Sequence, residues 1–113
     1  MIIAITSQGK TLDSNFDLRF GRGKYIIIYN TETKEYKAYS NSENVNAEHG
    51  AGINAAKFVA DKEAEALITG HVGPKAFDTL KIADIKSYVS NEGIVKDIIQ
   101  NFIDGKLKIV ESA

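Results

Sequence analysis

The stretch Ala66-Leu67-Ile68-Thr69-Gly70-His71-Val72-Gly73-Pro74-Lys75-Ala76 decides how this chain is built. Its first three residues are an apolar run that reads as a buried strand. Beyond it, Ala76, Phe77 and Leu80 are spaced like the inner face of a helix. The turn between them holds two glycines and the only proline of the chain. Pro74 suits the first helical position, where a missing N–H costs nothing. Gly70 lets the backbone turn, and Gly73 either does the same or lets a ligand come close. The free amides that follow, together with the helix dipole, suit an anion. His71 stands in the middle of the turn and can donate, accept or bind a metal. Lys75 follows just inside the helix. The plainer alternative is a turn that binds nothing. No Gly-Lys-Ser/Thr follows, so this is not a P-loop, and Gly-x-x-Gly lacks the spacing of a dinucleotide fingerprint.

Working outward, residues 2–5 (Ile-Ile-Ala-Ile) predict a central strand covered on both faces. A polar loop to Asp17 follows, pinned by Phe16 and Phe20. Phe20-Gly21-Arg22-Gly23 sets an arginine between two glycines, a residue suited to bidentate contact with anions. The alternative is a surface arginine in a turn. Residues 24–29 predict a second strand, and residues 35–39, alternating with period two, an exposed third strand whose lysines discourage edge pairing. A polar loop over 40–48 leads to His49-Gly50-Ala51-Gly52 and a helix with Ile53, Ala56, Val59 and Ala60 on one face. His49 at that helix start is a candidate ligand, or else a cap or surface residue. Gly50 and Gly52 permit close approach by another element or by a ligand.

After the central turn, the spacing predicts a second helix from Pro74 to Ile82 and a strand over 85–89. A third helix follows with Val95, Ile98, Ile99 and Phe102 inward. Ser90 or Asn91 is the expected cap of that helix, and Gly105 its end. The patch Leu107, Ile109 and Val110 has no assigned role. The first three strands have short connections and should form an antiparallel meander. The later ones are joined through helices and should run parallel. The expectation is an α/β, three-layer ribonuclease H-like fold, a mixed five-stranded sheet with about three helices, in one domain over residues 1–113. Ligands of such sheets lie at the carboxyl ends of the parallel strands. The loops at 6–10, 70–74 and 89–93 should gather there.

The bulk properties narrow the function. The chain has 113 residues and a net charge of −1, with a sequence pI near 6.1, so no basic footprint for nucleic acid or anionic membrane exists. It has no cysteine, which excludes disulfides and thiolate metal sites. No run of residues is long enough to span a membrane, and the opening run is too short for a signal peptide, so a cytoplasmic protein is expected. The first and fourth strands carry no Asp or Glu, so two-metal nuclease chemistry is not expected. No nucleophile and base are legible as a set, and no enzyme is expected.

Taken together, Gly9, Asp13, Phe20-Gly21-Arg22, Asn41, Gly50-Ala51-Gly52, Gly70-x-x-Gly73-Pro74-x-Ala76, Leu80 and Gly105-x-Leu107 carry a resemblance in order and spacing over nearly the whole chain. The chain resembles the NifX-like family of dinitrogenase iron–molybdenum cofactor biosynthesis proteins. The resemblance implies a ribonuclease H-like domain that carries iron–sulfur or iron–molybdenum cluster precursors in nitrogen fixation. A related member holds a molybdenum–copper sulfide cluster without covalent attachment. His71 departs from the family, where an Asn or small residue is common. Without cysteine, a cluster would rest its anionic sulfides on backbone amides, Arg22 and imidazole.

The expected function is therefore a small non-catalytic carrier or chaperone of an anionic metal–sulfur cluster. Arg22, His49, Gly50, Gly52, Gly70, His71, Gly73 and Lys75 form its site, and His49 and His71 are its metal ligands. Cluster donor and acceptor proteins are its expected partners. Two alternatives are a binding module for a phosphorylated small molecule, using the same helix ends, and an interaction domain using the edge at residues 35–39.

Overall fold

The computed structural model describes residues 1–41 and 50–111. Its elements in chain order are β1 (Ile2–Ser7), β2 (Tyr25–Asn30), β3 (Tyr36–Ser40), α1 (Ala51–Asp61), β4 (Ala66–Thr69), α2 (Pro74–Ile82), β5 (Lys86–Val89), α3 (Val95–Ile103) and β6 (Lys108–Ile109). The strands form one sheet in the order β3-β2-β1-β4-β5-β6. β1, β2 and β3 form the antiparallel meander, with Ile5 opposite Ile27 and Ile27 opposite Ala38. β4 lies parallel to β1 with Ile5 beside Ile68, and β5 lies parallel to β4 with Ile68 beside Tyr88. This is the ribonuclease H-like arrangement.

Strand side chains alternate between two cores. Ala4, Ile26 and Leu67 point to one face, where α1 and α2 cover them with Ala55, Ala56, Val59, Ala76 and Leu80. Ile3, Ile5, Ile27 and Ile68 point to the other, where α3 supplies Val95, Ile98 and Ile99. Every residue of β4 is buried, as its continuous apolar run demands. A Cβ on Gly52 would lie only 3.2 Å from that of Ala76, so α1 and α2 pack closely where they start.

Two expectations are corrected. The sheet has six strands, not five. Gly105, at φ 73°, reverses the chain after α3, and Lys108–Ile109 pairs antiparallel with β5 through Tyr88 and Val89. A two-residue strand is too short to show a period. Nor do Ser90 or Asn91 cap α3. Its N-cap is Ile94, and the carbonyls of Ser14 and Leu12 accept from the amides of Val95 and Lys96 at 3.0 and 2.9 Å. A distant loop thus does what a local side chain was expected to do.

Candidate functional site

β1, β4 and β5 end on the same edge of the sheet. β3 runs antiparallel to β2 and so ends there as well. The start of α1 and the start of α2 lie at this edge, on the same face. Between them opens a cleft of about 870 Å³. One wall is the segment from Leu18 to Arg22, another the first turn of α1 and a third His71 with the first turn of α2.

The 15–23 segment was expected as a loop pinned by Phe16 and Phe20, followed by a turn that holds Arg22 out between two glycines. It crosses the strand ends and builds the wall. Phe16 bridges to Ser7 and packs in the α3-side core. The Asp17 amide donates to the Thr6 carbonyl at 3.1 Å, and the Thr6 hydroxyl donates back to the Asp17 carbonyl. Arg19 forms a parallel bridge with His71, which ties the segment to the central turn. A Cβ on Gly70 would lie 2.6 Å from the Leu18 carbonyl oxygen, so the segment lies on the glycine itself. Gly70 is thereby a packing residue behind the cleft and does not line it.

Two buried side chains organise the arginine-bearing turn. Asp17, 1% exposed, accepts from the amides of Arg19 at 3.0 Å and Lys24 at 3.3 Å. It also accepts from the Arg19 guanidinium, Nε at 3.1 Å and Nη2 at 3.2 Å. Burial pushes the Asp17 carboxyl up, but the Arg19 guanidinium and the two amides outweigh it and hold the group below the usual carboxylate range. The carboxylate holds the Arg19 guanidinium above its ordinary value in turn. From the other side, Asn41 Nδ2 donates to the carbonyls of Phe20, Gly21 and Gly23 at 3.4, 3.2 and 2.9 Å. Gly21 then presses on α1, where a Cβ would lie 2.6 Å from the Gly52 nitrogen.

The helix starts differ in how their amides are used. α3 is capped by backbone carbonyls, as described. α1 starts from Gly50, at φ 76°, and α2 from Gly73, and no side chain among the described residues caps either. The positive φ accounts for glycine at position 50. Gly73 has an ordinary φ of −71°, and a Cβ there would meet no atom of the described residues within 4 Å. Protein geometry therefore does not require glycine at position 73.

Of the residues expected at the site, Arg22, Gly50, Gly52, His71, Gly73 and Lys75 line the cleft together. His49 lies outside the described residues. Arg19 also lines the cleft and was missed, because an Asp-x-Arg pair two residues apart has no distinctive sequence signal. No acidic residue is among the described residues lining the cleft. The loops at 6–10 and 89–93 do not reach it. Gln8, Glu92 and Gly93 border a second cleft of about 720 Å³ beyond the Asp17–Arg19 wall. Among the described residues, no group of three or more His, Cys, Asp or Glu side chains is placed to hold a metal ion. No helix among them is long and apolar enough to cross a membrane.

An uncapped helix start attracts anions, and arginine and lysine add charge and donors. The walls between these groups are apolar, from Leu18, Phe20, Ile53 and Pro74. The arrangement suits a compact anion with a weakly hydrated surface.

The family model described as dinitrogenase iron-molybdenum cofactor matches residues 1–105. An uncharacterized protein of Methanocaldococcus jannaschii is 33% identical over 94 residues, spanning 81% of this chain and 80% of its own length. Among solved structures, the apo form of the orange protein from Desulfovibrio gigas is 38% identical, with a TM-score of 0.94 over 98% of this chain and 93% of its own. A Thermotoga protein described as a candidate NifB protein is 36% identical, with a TM-score of 0.86 over 99% of this chain and 95% of its own.

Proposed function

The chain belongs to the dinitrogenase iron-molybdenum cofactor family, and on that premise we propose that it is a small, non-catalytic, cytoplasmic carrier of an anionic metal–sulfur cluster. The cargo is an iron–sulfur or molybdenum-containing sulfide cluster, received from a donor protein and passed to an acceptor. One observation supports this reading above others: two helix starts that no side chain among the described residues caps face one cleft whose described lining is cationic and free of carboxylates. The cradle suits such a cargo. Position 73 leaves the space of a side chain open beside the α2 amides. No cysteine exists to bind the cluster covalently, so sulfides would accept from the amides at 50–53 and 75–76 and face Arg19, Arg22 and Lys75. His71 and His49 are the proposed metal ligands.

The test is anaerobic purification from the native host, followed by assays of metal, acid-labile sulfide and the visible spectrum. Stoichiometric iron or molybdenum with sulfide and a charge-transfer band is the expected result. A metal-free protein that also takes up no cluster under reducing conditions would end the carrier reading. Uptake of phosphorylated metabolites by that protein would then favour the phosphate-binding module, which uses the same helix ends.

A further inference from the structure

We propose that Asn41 is a positioning residue for the cleft, holding the Phe20-Gly21-Arg22-Gly23 turn in the shape that presents Arg22 to an anion. The inference rests on the anion-binding reading of the cleft and goes beyond it by assigning a residue that does not line the cleft. Asn41 is 4% exposed and follows directly on the last residue of β3. Its amide nitrogen reaches three carbonyls of one short turn. A turn that carries two glycines is loose by itself, because glycine gains more freedom than other residues when released. Here its carbonyls converge on one buried donor, while Asp17 takes the amides at either end, Arg19 and Lys24. Donor and acceptor sides of the turn are thus fixed by two buried side chains of opposite character. The Gly21 contact with Gly52 and Ala51 locks the same turn to the start of α1. The backbone that carries Arg22 is therefore ordered before a ligand arrives, and binding need not supply that part of the ordering.

The experiment titrates wild type, Asn41→Ala, Arg22→Ala and the double variant with tetrathiomolybdate, a metal–sulfide dianion, and with inorganic phosphate. Thermal melts and amide hydrogen exchange over residues 18–24 accompany it. Asn41→Ala should weaken whichever probe binds by about tenfold and raise exchange in the turn. Arg22→Ala should matter much less in the Asn41→Ala background than in wild type. A merely structural role would lower the melting temperature and leave the two substitutions additive, which would overturn the inference. Asn41→Asp keeps the size but sets a carboxylate against the three carbonyls. It should behave like Asn41→Ala, and wild-type behaviour would also overturn the inference. If both variants fail to fold, Asn41 is structural for the whole chain and the proposal falls. If wild type binds neither probe, the carrier reading loses its support and exchange decides alone: raised exchange confined to the turn supports the role of Asn41, and unchanged exchange removes it.

Discussion

At the residue scale, Asp17 and Gly73 make opposite predictions. Asp17 is buried and charged, and its folded-state carboxyl lies below its ordinary value. A depressed carboxylate contributes stability that is fully present above its unfolded pKa, near 4, and is lost as pH falls through the folded value. Wild type should therefore lose stability on acidification below about pH 4 more steeply than Asp17→Asn, as chemical denaturation at several pH values would measure. At neutral pH, Asp17→Asn should cost about 1.5–3 kcal/mol, the usual loss for hydrogen bonds to a charged group. Gly73→Ala should cost less than about 1 kcal/mol, since the new methyl meets no atom among the described residues and the backbone is unstrained. It should nonetheless weaken tetrathiomolybdate binding by about tenfold or more by filling the cradle. Unchanged binding would remove position 73 from the cleft chemistry. Arg22 was legible from its flanking glycines. Asp17 and Arg19 were not, since nothing local marks a carboxylate that will be buried by a crossing segment.

At the element scale, the three helix starts are the informative comparison. Periodicity placed all three helices, and Pro74 to Ile82 kept its expected limits because Pro74 fixes one end by covalent geometry. What each start does with its amides was not legible. The cap of α3 comes from residues more than eighty positions away, whereas α1 and α2 start at the cleft. β6 was missed for a related reason: two residues gain their identity from pairing with β5, not from a pattern of their own. The uncapped start of α2 makes Lys75→Glu a diagnostic change. Lys75 is exposed, and a carboxylate in a first helical turn is stabilising by about 0.3–1 kcal/mol. Stability should hold or rise while anion binding falls by about tenfold or more, because the same dipole would be satisfied by the protein's own charge. Equal binding by the variant in a titration with tetrathiomolybdate would show that the α2 dipole is not used.

At the scale of the whole molecule, one sheet separates two cores, and the cleft is built on only one of them. Leu80 lies wholly buried in the core beneath α1 and α2, and Ile98, 2% exposed, in the core beneath α3. Truncating either should cost about 2–5 kcal/mol, the range for large-to-small changes in a packed interior. Among the described residues the two cores have no member in common, so the double variant should be additive within about 0.5 kcal/mol. Their effects on the cleft should differ. Leu80 anchors the helix that carries Gly73 to Ala76, and the start of α1 meets that helix at Gly52 and Ala76. Ile98 anchors a helix whose start is occupied by the Ser14 and Leu12 carbonyls, and which packs in the other core and does not line the cleft. At temperatures where both variants are fully folded, Leu80→Ala should therefore weaken tetrathiomolybdate binding more than Ile98→Ala does, even where their melting temperatures agree. Equal weakening by both would mean that the cleft responds to the stability of the whole sheet, and that its shape is not set by the α1–α2 layer alone.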